Sequence, residues 1–528
     1  MNIKRSIVIF CLIGLLFSLL AVASASEDLG DEIVSGGVDE SQESVDVSSF
    51  DVYDSENTVL SASPESFTDL DEKITNTPLG EKNITLNDSY VYEDGDESSG
   101  ITIGRDVSID GKGNIINADH KASIFNVVDN AHVIFKNITF INANATNGGA
   151  INVASGATVE IISCTFINNV ATHYGGAVYI AEDAPTDLTS TIIDSIFEGN
   201  EAFNGGAIYV NGSSLTITSS DFTNNIAQSF GGSLFIDGVL HVSQSTFYGD
   251  RAGAGGAVYL NDTFEIYSTI EDSRFEHCYA TNEYDCVDAG DGGALFVNAN
   301  NVHVKDLIFR NNIADDDGGA ICWKGSNGVM YNVRCENNKG ISATKPDGVD
   351  TSSTRGGAIC LTGSDVTITK SSFTSSSAYM DEDKDYSKVD GGALFITGNN
   401  VIVNDTTFSS CDATNGGGAI YVIGNNTHIY NCNFKDCIGR DGAAIYVDGI
   451  GCSLYNSTFT NNVAYDDGGA IYWDGDDGYI YNIECIDNKG ISGWDPLDGK
   501  YSSTRGGTIC LTGSNVTLTK SRFISSSA

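Results

Sequence analysis

Apolar positions along this chain fall two apart, in short runs that recur at fixed distances from a phenylalanine. Val133, Phe135 and Phe140 set the pattern, and it returns at Val159, Ile161, Phe166; Leu215, Ile217, Phe222; Leu240, Val242, Phe247; Val302, Val304, Phe309; Val366, Ile368, Phe373; and Val401, Val403, Phe408. A period of two is that of a strand with one face turned inward, and no helical spacing of useful length follows the first 80 residues. Behind many of the phenylalanines comes Gly-Gly-Ala and then an aliphatic, a variable and another aliphatic residue, as in Ile208-Tyr209-Val210 and Leu295-Phe296-Val297. The pattern predicts three short strands per unit.

The units repeat. Gly-Gly-Ala or a close variant begins at Gly148, Gly175, Gly205, Gly231, Gly255, Gly292, Gly318, Gly356, Gly391, Gly417, Gly442, Gly468 and Gly506, 24 to 38 residues apart. Repeats of this length stack on their neighbours to bury an apolar face that one copy cannot bury alone. About 25 residues are too few for a propeller blade, which takes roughly 40. The expected fold is therefore all-β, a right-handed parallel β-helix with coils about 4.8 Å apart. Like residues should then stack in columns: phenylalanine inside, Asn169, Asn200, Asn225, Asn312 and Asn462 in a turn, and the glycine pair at a corner needing positive φ.

The alternation of Phe-x-x-Asn (Phe166 to Asn169, Phe197 to Asn200, Phe222 to Asn225, Phe309 to Asn312, Phe459 to Asn462) with Gly-Gly-Ala-Ile resembles the repeat of the chlamydial polymorphic outer-membrane proteins. The whole layout is similar to the adhesin-like surface proteins of methanogenic archaea, over about residues 65 to 528. The resemblance implies a β-helix displayed at a cell surface and names no particular partner.

In chain order, residues 1–25 read as a secretory signal peptide, with Lys4 and Arg5 ahead of an apolar run from Ile7 to Leu20 and Ala23-Ser24-Ala25 at its end. Residues 26–63 hold many acidic residues and serines and no Lys or Arg, the composition of a disordered spacer. Residues 64–140 should form an N-terminal cap and irregular first coils. Ser66 can cap a short helix with Asp69, and Phe67, Leu70 and Ile74 share one face able to cover the open end. Asp110-Gly111-Lys112-Gly113 resembles a turn of pectinase-type β-helices. Regular repeats fill 141–528, and a 150-residue offset relates 309–378 to 459–528, pairing Cys335 with Cys485 and Arg355 with Arg505. Each copy carries an excursion, Gly340 to Thr354 and Gly490 to Thr504, expected to project as a loop. The chain stops in mid-repeat at Ala528, as a fragment or truncated product would.

Formal charge is −44, and −46 once Lys4 and Arg5 leave with the signal. Such a field disfavours nucleic acid and anionic membrane as partners, and no membrane insertion is expected beyond the signal. Acidic loops such as Asp315-Asp316-Asp317 and Asp474-Gly475-Asp476-Asp477 can hold Ca²⁺, although a solvated acidic face accounts for them better; no other cofactor is expected. Cys411 and Cys437 share one column on adjacent coils, as do Cys322 and Cys360, so each pair is a candidate disulfide or a reduced stack. Ten Asn-x-Ser/Thr sequons permit glycosylation at about the density this composition gives by chance.

Three functions fit. One is adhesion: Tyr179, Tyr209, Phe235, Tyr259, Phe296, Phe395, Tyr421, Tyr446 and Tyr472 lie between the two buried aliphatics that follow the glycines, and should form either an outward strip for an extracellular glycan or surface protein, or a stack that only stabilises the coils. Another is a polysaccharide lyase or glycosidase of the pectinase-like type, which the duplicated Arg355 and Arg505 and the lack of a single matched acid/base set argue against. The last is a passive stalk. The reading adopted is a secreted or surface-displayed, non-catalytic adhesin.

Overall fold

The computed structural model describes residues 64–181, 189–261, 267–284, 286–342, 354–380, 389–491, 494–495, 500–501, 505–525 and 527. The expected signal peptide (1–25) and acidic spacer (26–63) lie outside them. The chain winds as a parallel β-helix, in which strands of successive coils pair in three long sheets of 17, 13 and 29 strands. One coil shows the plan: Thr165–Ile167, Val170–Tyr174, Val178–Ile180 and Thr189–Ile193. The coil thus has four strand segments where three were expected. The additional one, between asparagine and glycine pair, turns only alanine inward (Ala171, Ala202, Ala227, Ala252) and so carries no large inward apolar residue to betray it.

Register holds from coil to coil. Phe140, Phe166, Phe197, Phe222, Phe247, Phe275 and Phe309 are successive Cα partners with ring centroids 4.6 to 4.9 Å apart, the spacing of paired strands. Each ring is fully buried, a gain of about 1.5–3 kcal/mol per side chain. Cys335 interrupts this run, Phe373, Phe408, Phe434 and Phe459 resume it, and Cys485 interrupts it again before Phe523. The coils that lose a ring in this column hold a buried tryptophan on another wall, Trp323 and Trp473, and a Cβ at Gly328 or Gly478 would strike that indole at 2.5 and 2.4 Å. In these coils the large ring stands on a different wall of the same close-packed interior.

The asparagine column is a buried hydrogen-bond ladder. Oδ1 of Asn200 accepts from the backbone N–H of Asn169 (3.1 Å) and from its Nδ2 (3.0 Å), while Nδ2 of Asn200 donates to the carbonyl of Phe166 (3.1 Å). The same contacts recur at Asn225, Asn338 and Asn488. At the corner, the first glycine has positive φ (+66° at Gly292) and the second lets backbones meet: a Cβ on Gly293 would lie 2.1 Å from the carbonyl of Gly319.

The helix Phe67–Asn76 caps the N-terminal end as the sequence predicts. Ser66 Oγ accepts from the Asp69 N–H (3.1 Å), Asp69 accepts in return from the Ser66 N–H (2.9 Å), and Phe67, Leu70 and Ile74 are buried against the core. The first coils are less irregular than their sequence suggests: Asn83–Thr85, Val107–Asp110 and Val133 onward already pair in parallel register. The excursions lie largely outside the described residues; within the second, Trp494–Asp495 pairs antiparallel with Lys500–Tyr501.

Candidate functional site

The strands after the glycine pair stack the aromatic column chosen from sequence. Tyr179, Tyr209, Phe235, Tyr259 and Phe296 follow one another with centroids 4.6 to 5.7 Å apart, and Phe395, Tyr421, Tyr446 and Tyr472 form a second run at 4.4 to 5.5 Å. Cys322 and Cys360 occupy the register between the runs. The column sits outside the main wall yet is largely covered. Phe296 and Phe395 are 0% and 2% exposed, Phe235 and Tyr259 are also buried, and the remaining tyrosines are half-buried. Phe230 and Ala254 close over the first run, Lys324 lies over Phe296 (4.8 Å) and Arg355 over Phe395 (5.5 Å). Burial pushes the hydroxyls of Tyr209, Tyr259, Tyr421 and Tyr446 upward in pKa. This column stacks, and its phenylalanines offer no surface.

Next to it, acids stand immediately before five of the glycine corners, at Asp291, Asp317, Asp390, Asp441 and Asp467. Burial raises Asp291 and Asp317 well above the usual carboxylate range, and Asp390 and Asp441 to about 6. Cys322 Sγ lies 3.9 Å from Asp291 Oδ2 and Cys360 Sγ 3.6 Å from Asp317 Oδ2. In the asparagine ladder, Cys411 Sγ points to the carbonyl of Phe373 (3.6 Å), and the Cys437 N–H donates to Asn462 Oδ1 (2.9 Å). All four stand as buried free thiols. The acidic loops considered for Ca²⁺ are occupied by protein donors: Asp315 accepts from Tyr279 Oη (2.6 Å) and Thr281 Oγ1 (3.1 Å), Asp476 from Ser514 N–H (2.6 Å), and Asp477 from Asn515 Nδ2 (2.7 Å). Oxygens of Asp441, Asp466 and Asp467 lie within 4.8 Å of one another, with Arg505 Nε 2.8 Å from Asp467 and Arg440 3.7 Å from Asp466. Arg355 likewise serves the wall, its N–H donating to Asp317 (2.8 Å).

A different set of tyrosines reaches solvent, and the sequence reading passed over it. In His428–Tyr430, Ser453–Tyr455 and Tyr479–Tyr481 the central Ile429, Leu454 and Ile480 face the core, so the period of two turns Tyr430, Tyr455, Tyr479 and Tyr481 outward. Tyr430, Tyr455 and Tyr481 are register partners on three coils. Behind them the chain turns at Asn431, Asn456 and Asn482, each with φ between 50° and 56°, a conformation asparagine tolerates. Their amides form an exposed ladder, Asn482 to Asn456 at 2.9 Å and Asn456 to Asn431 at 3.4 Å. Tyr430, Asn431, Tyr455, Asn456, Tyr479 and Tyr481 together line an open cavity of about 350 Å³. Ring centroids stand 5.6 Å apart for Tyr455 and Tyr479, 6.4 Å for Tyr455 and Tyr481, and 6.2 Å for Tyr479 and Tyr481. Lys520 Nζ donates to Tyr481 Oη (2.7 Å) and closes one end. The signal was in the sequence, as three tyrosines each placed just before the turn asparagine.

The Chlamydia polymorphic membrane protein repeat matches residues 163–181, 306–322 and 456–472. The chain is 29% identical over 195 residues to the probable outer membrane protein PmpG of Chlamydia muridarum, covering 34% of this chain and 19% of that protein. It is 27% identical over 215 residues to the probable autotransporter YfaL of Escherichia coli strain K12, covering 37% of this chain and 15% of that one. The match thus spans less than a fifth of these relatives. Among solved structures, a tailspike protein of E. coli bacteriophage HK620 in complex with pentasaccharide is similar at 11% identity and a TM-score of 0.36, covering 87% of this chain and 74% of that one. Chlamydial-type repeats and likeness to outer-membrane and autotransporter proteins are therefore features of this sequence.

Proposed function

We propose that this protein is displayed at a cell surface and mediates attachment, without catalysis, to an extracellular glycan or surface protein. It acts in the manner of the adhesin-like proteins of methanogenic archaea that its layout resembles. The observation that carries the reading is the exposed groove of Tyr430, Tyr455, Tyr479 and Tyr481. Stacked coils hold these rings on a stiff wall, so little ordering entropy is lost when a partner docks. The groove is tested by coating beads with the purified chain and counting those retained on host or microbial cells. Retention that falls by most of its value in Tyr455→Ala/Tyr481→Ala supports the reading. Beads retained no better than uncoated ones would refute it.

The Asp441, Asp466 and Asp467 cluster favours a second reading, a glycoside hydrolase, since two carboxylates about 5 Å apart are what retaining hydrolysis uses. Arg440 and Arg505 already engage two of the three, which suits a structural role better. Release of reducing sugar from polysaccharide, abolished by Asp441→Asn, would move the assignment to this reading.

A further inference from the structure

We propose that the tyrosine groove over residues 430–481 binds a neutral polysaccharide whose sugar rings lie along the coil axis. The inference rests on the attachment reading and names the chemistry of its ligand. Four observations bear on it. First, the groove repeats with the coils: Tyr430, Tyr455 and Tyr481 are register partners on strands about 4.8 Å apart along the axis, and Tyr479 adds a further ring on the last coil. A ligand with its own short repeat can meet successive coils with successive units. Second, the contact atoms alternate in kind. Tyrosine faces accept the C–H faces of a pyranose, and the asparagine amides beside them supply donors and acceptors for ring hydroxyls. The ladder uses one N–H of Asn456 toward Asn431 and one carbonyl oxygen toward Asn482, which leaves its second N–H for a ligand. Third, no described residue engages the hydroxyls of Tyr430, Tyr455 and Tyr479 in a hydrogen bond shown in the structure, and Tyr479 is 37% exposed. Fourth, the charge selects. A chain of net −44 repels polyanions such as uronic-acid polymers, and one lysine, Lys520, marks only the end of the groove.

The volume fits the scale of the ligand. An open cavity of about 350 Å³ falls within the size range of small-ligand clefts. Asn404 and Thr369, the outward residues of the same wall one and two coils earlier, break the run of rings and separate it from Tyr331 three coils earlier, so the site is bounded to the coils around 430–481.

The test is calorimetric titration of the full chain with xylohexaose, cellohexaose and mannohexaose as neutral probes and oligogalacturonate as the anionic one. At least one neutral probe is expected to bind, with the affinity reduced tenfold or more in Tyr455→Ala, kept within about threefold in Tyr455→Trp, and unchanged in Tyr248→Ala, an exposed tyrosine on another wall. Circular dichroism of Tyr455→Ala confirms that the coil is intact. No heat with any neutral probe overturns the proposal, as does binding confined to oligogalacturonate or binding indifferent to Tyr455→Ala. The bead assay separates the two claims. Beads that still adhere through Tyr455→Ala leave attachment standing while the groove loses its role, and beads that never adhere remove attachment whatever the titration gives.

Discussion

Asp250 stands where the asparagine ladder requires a donor. Its Oδ1 behaves as an asparagine oxygen, accepting from the N–H of Asn225 (2.8 Å) and from Asn225 Nδ2 (3.2 Å), but Oδ2 is buried without a partner. At other rungs the corresponding atom donates to the phenylalanine carbonyl one coil earlier: Nδ2 of Asn225 to Phe197 at 3.0 Å, Nδ2 of Asn312 to Phe275 at 2.9 Å, and even Cys411 Sγ to Phe373 at 3.6 Å. A carboxylate cannot donate, so the rung is satisfied only when Asp250 is protonated. Burial accordingly raises it from 3.8 to about 7, against hydrogen bonds from Asn225 and Ser233 that pull the other way. The native state then holds a proton that the unfolded chain has released between about pH 4 and pH 7. Stability from this group is complete below pH 4 and is lost as pH rises through 7. At about 1.36 kcal/mol per pH unit, the loss comes to roughly 4 kcal/mol. Asp250→Asn supplies the donor at every pH. Its urea midpoint should match the parent near pH 4 and exceed it at pH 8. A parent and variant with parallel pH profiles, or a variant less stable at pH 8, would show that Asp250 is not held as a neutral rung.

Three further outcomes follow from the same packing. Asn462→Ala strands the Cys437 N–H and the Phe434 carbonyl, so it should cost more than about 2 kcal/mol in the urea midpoint, where a cost under 0.5 kcal/mol would deny the ladder its role. Gly293→Ala, with 2.1 Å to the Gly319 carbonyl, should leave little soluble folded protein on expression; Gly80→Ala, with open space around it, should express as the parent does. Trp323→Leu and Cys335→Phe should each destabilise by about 2–4 kcal/mol, and the double variant by clearly less than their sum, which strict additivity in a thermal melt would contradict.

Much of the fold was legible because stacking turns register into sequence identity. Phe over Phe, Asn over Asn and Gly-Gly at the corner each recur at one position per coil, and the helix cap was legible separately from Ser66 and Asp69. The fourth strand segment was not legible, since small alanines point inward while Val170, Ile226, Ile313 and Val463 sit on the outer side, which leaves no apolar-in, polar-out contrast. The site was legible only in part. Period-two reasoning correctly sets Tyr209 and Phe296 on the outer side of their strands. It cannot tell that a corner folds over them, because Phe230 and Lys324 reach that column from other parts of the coil. The outward tyrosines at 430, 455 and 481 obey the same rule but occupy only three coils, and a search for features common to every repeat passes over them.

The groove, the ladder and the titration of Asp250 all require coils that stack one above another in register. Spin labels at Thr223 and Ser409 test this directly, for the pairing series through Tyr248, Glu276, Arg310, Glu336 and Thr374 places them six coils apart. Pulsed electron resonance should give a narrow distance near 29 Å, rising to roughly 38 Å when the second label moves two coils on to Thr460. A distance that stays the same or shrinks on that move would contradict the stacked winding.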